Sequence, residues 1–148
     1  RGGRNLHLPG QDAYLQAFPA FVRRMMGYNT LSRRFLKRLK EGAARSQERQ
    51  YPGGYVLCFV EDDGKAFDYG VDYTDCASVK FLVVQGSPEL APYICPVDIL
   101  YSAALGWGPR RTTTLAEGSA CCDFRFKKRG ETRVTVPESL AKHINGRA

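Results

Sequence analysis

The hydrophobic period of this chain changes twice, and that double change limits its fold more than any other feature. Between Ala66 and Tyr73 apolar and polar residues alternate, as on a half-buried strand. From Cys76 to Val84 the spacing of Val79, Phe81, Leu82 and Val83 is helical instead, and Gly86-Ser87-Pro88 ends the run. Glu89 to Leu105 is again helical, irregular at first because of Pro92 and Pro96, until Gly106-Trp107-Gly108-Pro109 stops it. Strand-like pieces then return at Thr112 to Ala116 and Asp123 to Lys128, on either side of Glu117-Gly118-Ser119. Tyr55 to Val60 is rich in β-formers and joins the first alternating run through an Asp62-Asp63-Gly64 turn. Segregated helices and hairpins predict an α+β domain, with an antiparallel sheet built from two β-hairpins packed against helices.

A helical lead-in precedes this core. Tyr14, Leu15, Phe18, Phe21, Val22, Met25 and Met26 recur at helical spacing, with a kink or a true start at Pro19. Gly27-Tyr28-Asn29 reads as a break and Thr30 as the N-cap of a second helix. That helix turns Leu31, Phe35, Leu36 and Leu39 inward and Arg33, Arg34, Lys37, Arg38 and Lys40 to solvent. With 148 residues, 43% of them hydrophobic, one domain is expected: a lead-in over 1–50, an α+β core over 51–130 and a polar tail over 131–148. Within the tail Arg133 to Val136 is strand-like. The chain opens on Arg1 without a charged-then-apolar leader, so a start upstream of Arg1 is expected.

Charge narrows the function. The net +7 divides into +8 up to Gln50, −6 from Tyr51 to Gly108 and +5 beyond. A nucleic-acid grip would carry its cations through the binding face, whereas here they are interrupted by the chemically richest segment, so nucleic acid is not an expected partner. No apolar run approaches the roughly eighteen residues of a membrane span, and no membrane partner is expected. The five cysteines, Cys58, Cys76, Cys95, Cys121 and Cys122, are odd in number and lack a C-x-x-C pair, which fits a reducing cytoplasm better than a disulfide framework or a structural zinc site.

Three clusters can carry chemistry: Tyr73-Thr74-Asp75-Cys76; Cys95-Pro96-Val97-Asp98; and Thr114-Leu115-Ala116-Glu117-Gly118 running into Cys121-Cys122-Asp123-Phe124-Arg125-Phe126. On a helix Cys95 and Asp98 would share a face. On a strand Cys122, Phe124 and Phe126 would point one way, and Asp123 and Arg125 the other.

From Phe67 to Phe126 these residues resemble the L-2-amino-thiazoline-4-carboxylic acid hydrolase family. The likeness is carried by Phe67-Asp68-Tyr69 leading to Cys76, by Gly86-Ser87-Pro88-Glu89-Leu90-Ala91-Pro92 leading to Cys95 and Asp98, and by the third cluster. It implies hydrolysis of a cyclic C–N bond, in which water opens a thiazoline ring to give a carbamoyl-cysteine from a small-molecule substrate. Such chemistry needs a nucleophile or activated water, a proton donor for the leaving atom and a cation for the substrate carboxylate. Cys76, Cys95 and Cys122 are the candidate thiolates, Asp98 and Asp123 the candidate acid or base, and Arg125 the carboxylate clamp, with Thr114 and Glu117 as further substrate contacts. The three thiols with a carboxylate could instead converge on a soft metal such as zinc or iron; the spacing does not demand one, and the metal site is left open. A homo-oligomer is also left open. Where the family often has His before Cys-Asp-Phe-Arg, this chain has Cys121, and its histidines, His7 and His143, lie near the ends. Two other readings stand beside the enzyme: a non-catalytic small-molecule or metal-binding module, and a basic interaction domain acting through the helix from Thr30 to Lys40.

Overall fold

The computed structural model describes residues 17–134. Tyr14, Leu15, His7, His143, and Thr135 and Val136 of the tail strand lie outside those residues. The elements are α1 (Ala20–Asn29), α2 (Arg33–Ser46), β1 (Val56–Val60), β2 (Tyr69–Asp75), α3 (Ala77–Val84), α4 (Ala91–Ile94), α5 (Val97–Leu105), β3 (Pro109–Arg111), β4 (Cys122–Phe126) and β5 (Arg133–Val134), with short 3-10 turns at Pro88–Leu90 and Leu115–Glu117.

Among the described residues five strands form one sheet in the order β1-β2-β4-β3-β5. Every pairing is antiparallel except that of β3 with β5. The α+β expectation is met. The first hairpin, β1 with β2, turns where Asp63 Oδ1 accepts the backbone N–H groups of Lys65, Ala66 and Phe67 and Gly64 takes φ +71°. The second differs from the expectation in register. Its first strand is Pro109–Arg111 rather than Thr112 to Ala116, because the three threonines spend their hydrogen bonds on Asp123 and on a 3-10 turn instead of on a ladder. Gly108 sets the entry to β3: it holds φ +55°, and a Cβ there would lie 2.3 Å from the Lys127 carbonyl oxygen.

The lead-in differs in one place. Gly27-Tyr28-Asn29 does not break the chain; α1 runs through it to Asn29 because buried Gly27 lets the helix approach Leu105 of α5, where a Cβ would come within 2.1 Å of the Leu105 carbonyl oxygen. Thr30 is accordingly the C-cap of α1, donating to the carbonyls of Met26 and Gly27, and Ser32 is the N-cap of α2, accepting from Phe35 N at 3.2 Å. The helix α2 lies over β1 and is tied to it by Ser46 Oγ, which accepts from Leu57 N at 3.0 Å, and by Gln47 Nε2, which donates to Leu57 O at 2.8 Å. One sheet face therefore carries the helices and the buried Val56, Tyr69, Val71, Cys122 and Phe124.

Candidate functional site

A cavity of about 510 Å³ lies between the helix-facing side of the sheet and the helices. Its floor is set by strand register. Tyr73 stands opposite Cys122, Val71 opposite Phe124 and Tyr69 opposite Phe126, and the period of two along each strand sends all six side chains to the same face.

The Tyr73 end is the polar end. Cys76, the residue before α3, lines it, together with Cys95 at the close of α4 and Asp98 in the first turn of α5. The buried Thr114 joins two of the thiols, its Oγ1 lying 3.7 Å from Cys95 Sγ and 3.6 Å from Cys122 Sγ, while Leu115 N donates to Cys122 Sγ at 3.2 Å. From β3, Arg111 enters with its side chain 2% exposed. Its Nη1 donates to the Cys95 carbonyl at 3.3 Å and to Asp98 Oδ2 at 3.4 Å, and its guanidinium lies over the Phe124 ring. The Asp98 carboxylate, 41% exposed, is the open member of that pair.

Burial raises the Asp98 carboxyl above its usual range, and the attraction of Arg111 offsets this only in part. Burial likewise pushes the Cys95 thiol up against the hydrogen bond from Thr114 and the charge of Arg111. The Tyr73 phenol is raised by burial first and then by the charges of Asp98 and Tyr55. The site thus holds a carboxyl and a thiol whose charged forms burial disfavours, together with one buried cation. Such a set suits proton transfer beside an anionic ligand.

The remaining sequence candidates stand elsewhere. Asp123 and Arg125 point to the opposite face of the sheet, as the alternation along the strand predicts. Asp123 accepts from Thr112 N at 2.8 Å, Thr112 Oγ1 at 2.5 Å, Thr113 N at 2.6 Å and Thr113 Oγ1 at 3.0 Å. Burial alone would raise its carboxyl, but these donors outweigh it and hold the group below its usual value. Arg125 makes a forked pair with Asp72 on β2, at 2.6 and 3.3 Å, and borders a separate recess of about 220 Å³ with Phe67, Arg110 and Thr112. Glu117 is exposed in the 3-10 turn, and Cys121, half-buried, accepts Thr113 Oγ1 on its carbonyl oxygen.

Cys76, Cys95, Asp98, Cys122 and Thr114 are brought together; Asp123, Arg125 and Glu117 are not. Sequence reasoning missed Arg111 and the aromatic partners Tyr55 and Trp107. A three-residue strand is too short to show period two, so Arg111 cannot be told from Arg110 by pattern. Among the described residues no group of three or more His, Cys, Asp or Glu side chains is arranged to hold a metal ion, and no helix is long and apolar enough to cross a membrane.

The sequence profile of the family described as L-2-amino-thiazoline-4-carboxylic acid hydrolase matches residues 12–126. No curated protein and no solved structure matches the chain.

Proposed function

Because the chain belongs to the L-2-amino-thiazoline-4-carboxylic acid hydrolase family, we propose that the polar end of its cavity hydrolyses a small carboxylated cyclic amidine of the aminothiazoline type. Water adds to the amidine carbon, which becomes tetrahedral. One ring bond from that carbon then breaks, and the departing nitrogen or sulfur takes up a proton. The product is a carbamoyl-cysteine, with every atom of the water retained.

The observation that carries this reading is the meeting of Asp98, buried Arg111 and Cys95 at one end of an apolar cavity. Asp98 takes a proton from the attacking water and returns one to the leaving atom, and the burial that raises its carboxyl makes it the stronger base that the first role requires. Once Asp98 has taken the proton of the water, the pair is left with the charge of Arg111, which favours the negative charge developing on the substrate. Since burial pushes the Cys95 thiol up and so opposes its thiolate, this reading gives the attack to water, and Cys95 with Cys122 shapes the wall. Arg125, the sequence candidate for the substrate carboxylate, is held by Asp72, and this reading gives the anion to Arg111.

The test is turnover of L-2-amino-thiazoline-4-carboxylate followed by mass spectrometry, with Asp98→Asn and Arg111→Lys alongside the wild type. Asp98→Asn should lower kcat about 10²- to 10⁴-fold. Arg111→Lys keeps the charge but loses the planar fork, and should act mainly on KM. Tight binding of the compound without turnover by folded wild-type protein would replace this reading with the non-catalytic binding module.

A further inference from the structure

The cavity is far longer than an aminothiazoline carboxylate. Its floor runs from the pair Tyr73 and Cys122 to the pair Tyr69 and Phe126, four residues along β2, or about 13 Å at the rise of a strand. A five-membered ring with one carboxylate spans roughly 6 Å at covalent bond lengths. A ligand that places its carboxylate and amidine beside Arg111 and Asp98 leaves the other half of the cavity untouched.

That other half has a different chemistry. Tyr69 and Phe126 stack with ring centroids 4.7 Å apart and planes within 11°, and Phe35 meets Tyr69 edge-on at 6.5 Å. Leu39 from α2 and Trp107, stacked on Tyr101, complete the wall. Among the described residues that line the cavity only Arg111 and Asp98 are charged, and they pair with each other beside Cys95. Ligand sites of this kind place a few convergent polar groups at one point and bury the rest of the ligand against apolar walls.

We propose that the true ligand is amphipathic: the anionic cyclic head assigned above, joined to a flat apolar substituent of about the size of a benzyl group that lies between Tyr69, Phe126, Phe35 and Leu39. The inference rests on the proposed function for the identity of the head. The tail pocket stands on the cavity itself.

Two probes separate these claims: L-2-amino-thiazoline-4-carboxylate and its derivative bearing a benzyl group on the exocyclic nitrogen. Their Kd values are read by calorimetry and their turnover by mass spectrometry, for wild type, Leu39→Phe, which fills the apolar end, and Leu39→Ala, which widens it. The benzyl compound should bind wild type about 30-fold more tightly than the parent. Leu39→Phe should bring that ratio close to one, and Leu39→Ala should lower it less. Equal affinities in wild type would overturn the proposal, as would a ratio that Leu39→Phe leaves unchanged. Preferential, Leu39-dependent binding of the benzyl compound with no turnover of either probe would uphold the tail pocket while removing the hydrolase reading.

Discussion

Asp98 and Arg111 form a lopsided pair: their atoms are 3.4 Å apart, the guanidinium is buried and the carboxylate faces the cavity. Burial outweighs the attraction, so folding raises the Asp98 carboxyl above its ordinary 3.8. Below 3.8 both folded and unfolded chains hold the proton. Between 3.8 and the raised value only the folded chain does, and stability falls as pH rises through that window. We expect the stability of wild type relative to Asp98→Asn to decline with rising pH there and then level off. Urea titrations at several values from about pH 3.5 to 7 measure it. A difference that grows with pH would mean that pairing with Arg111 dominates.

Asp123 has the opposite sense and a structural duty. Four hydrogen bonds from Thr112 and Thr113 converge on it, and its lowered carboxyl contributes stability that is present above the ordinary 3.8 and lost as pH falls through the folded value. Asp123→Ala should cost about 2 kcal/mol, since it leaves two backbone N–H groups to find new acceptors. The fold loss should appear as a lower urea midpoint. Turnover per folded molecule should change far less than in Asp98→Asn.

Sheet register produces a third expectation. Arg110 of β3 stands opposite Arg125 of β4 on one side and Arg133 of β5 on the other. Asp72 pairs with Arg125 and Glu131 with Arg133, while no ion pair is found for Arg110 among the described residues. Like charges directly opposite in a sheet are unfavourable, and Arg110→Glu would turn two repulsions into attractions worth about 0.5 kcal/mol each. A thermal melt should show a modest rise in Tm at low salt that shrinks as salt is added.

Which of these residues could be read from sequence follows from the length over which each signal repeats. The β1-β2 hairpin, the helices α2 and α3 and the opposed faces of β4 rest on patterns of five or more residues, and local alternation or helical spacing reports them. Gly27 is ambiguous in the sequence because a glycine that ends a helix and one that lets two helices touch look alike until the partner, Leu105, is known. Thr112-Thr113-Thr114 has β propensity, yet Asp123 captures its N–H groups from eleven and ten residues away. The candidate site divided in the same manner. Cys95 and Asp98 are three apart across the junction of α4 and α5 and are legible together, whereas Arg111 joins them only through its hydrogen bonds to the Cys95 carbonyl and Asp98.

Gly27 also supplies a direct test of the packing of α1. A methyl group at this position would meet the Leu105 carbonyl oxygen at 2.1 Å, and backbone atoms of two helices cannot yield as a flexible side chain would. Gly27→Ala should therefore destabilise by about 2 kcal/mol or more, although alanine is the better helix former. An unchanged denaturation midpoint would show that α1 does not pack against α5 at Leu105.

The last expectation concerns which cysteine reacts. The thiolate, not the thiol, displaces iodide from iodoacetamide, so the labelling rate at a given cysteine follows access multiplied by the ionised fraction. Cys58 is exposed on the outer sheet face, Cys122 is buried, and Cys95 is half-buried with its thiol pushed up by burial beside Thr114 and Arg111. Brief labelling near neutral pH followed by peptide mass spectrometry should modify Cys58 first and Cys95 and Cys122 late. The reverse order, with Cys95 fastest, would mean that Arg111 stabilises a thiolate there more than burial opposes it. The attacking group in the cavity would then be the Cys95 sulfur: its bond to the amidine carbon forms as the ring bond breaks and Asp98 protonates the leaving atom, and water then adds to that carbon, with Asp98 taking its proton, and expels the Cys95 thiol.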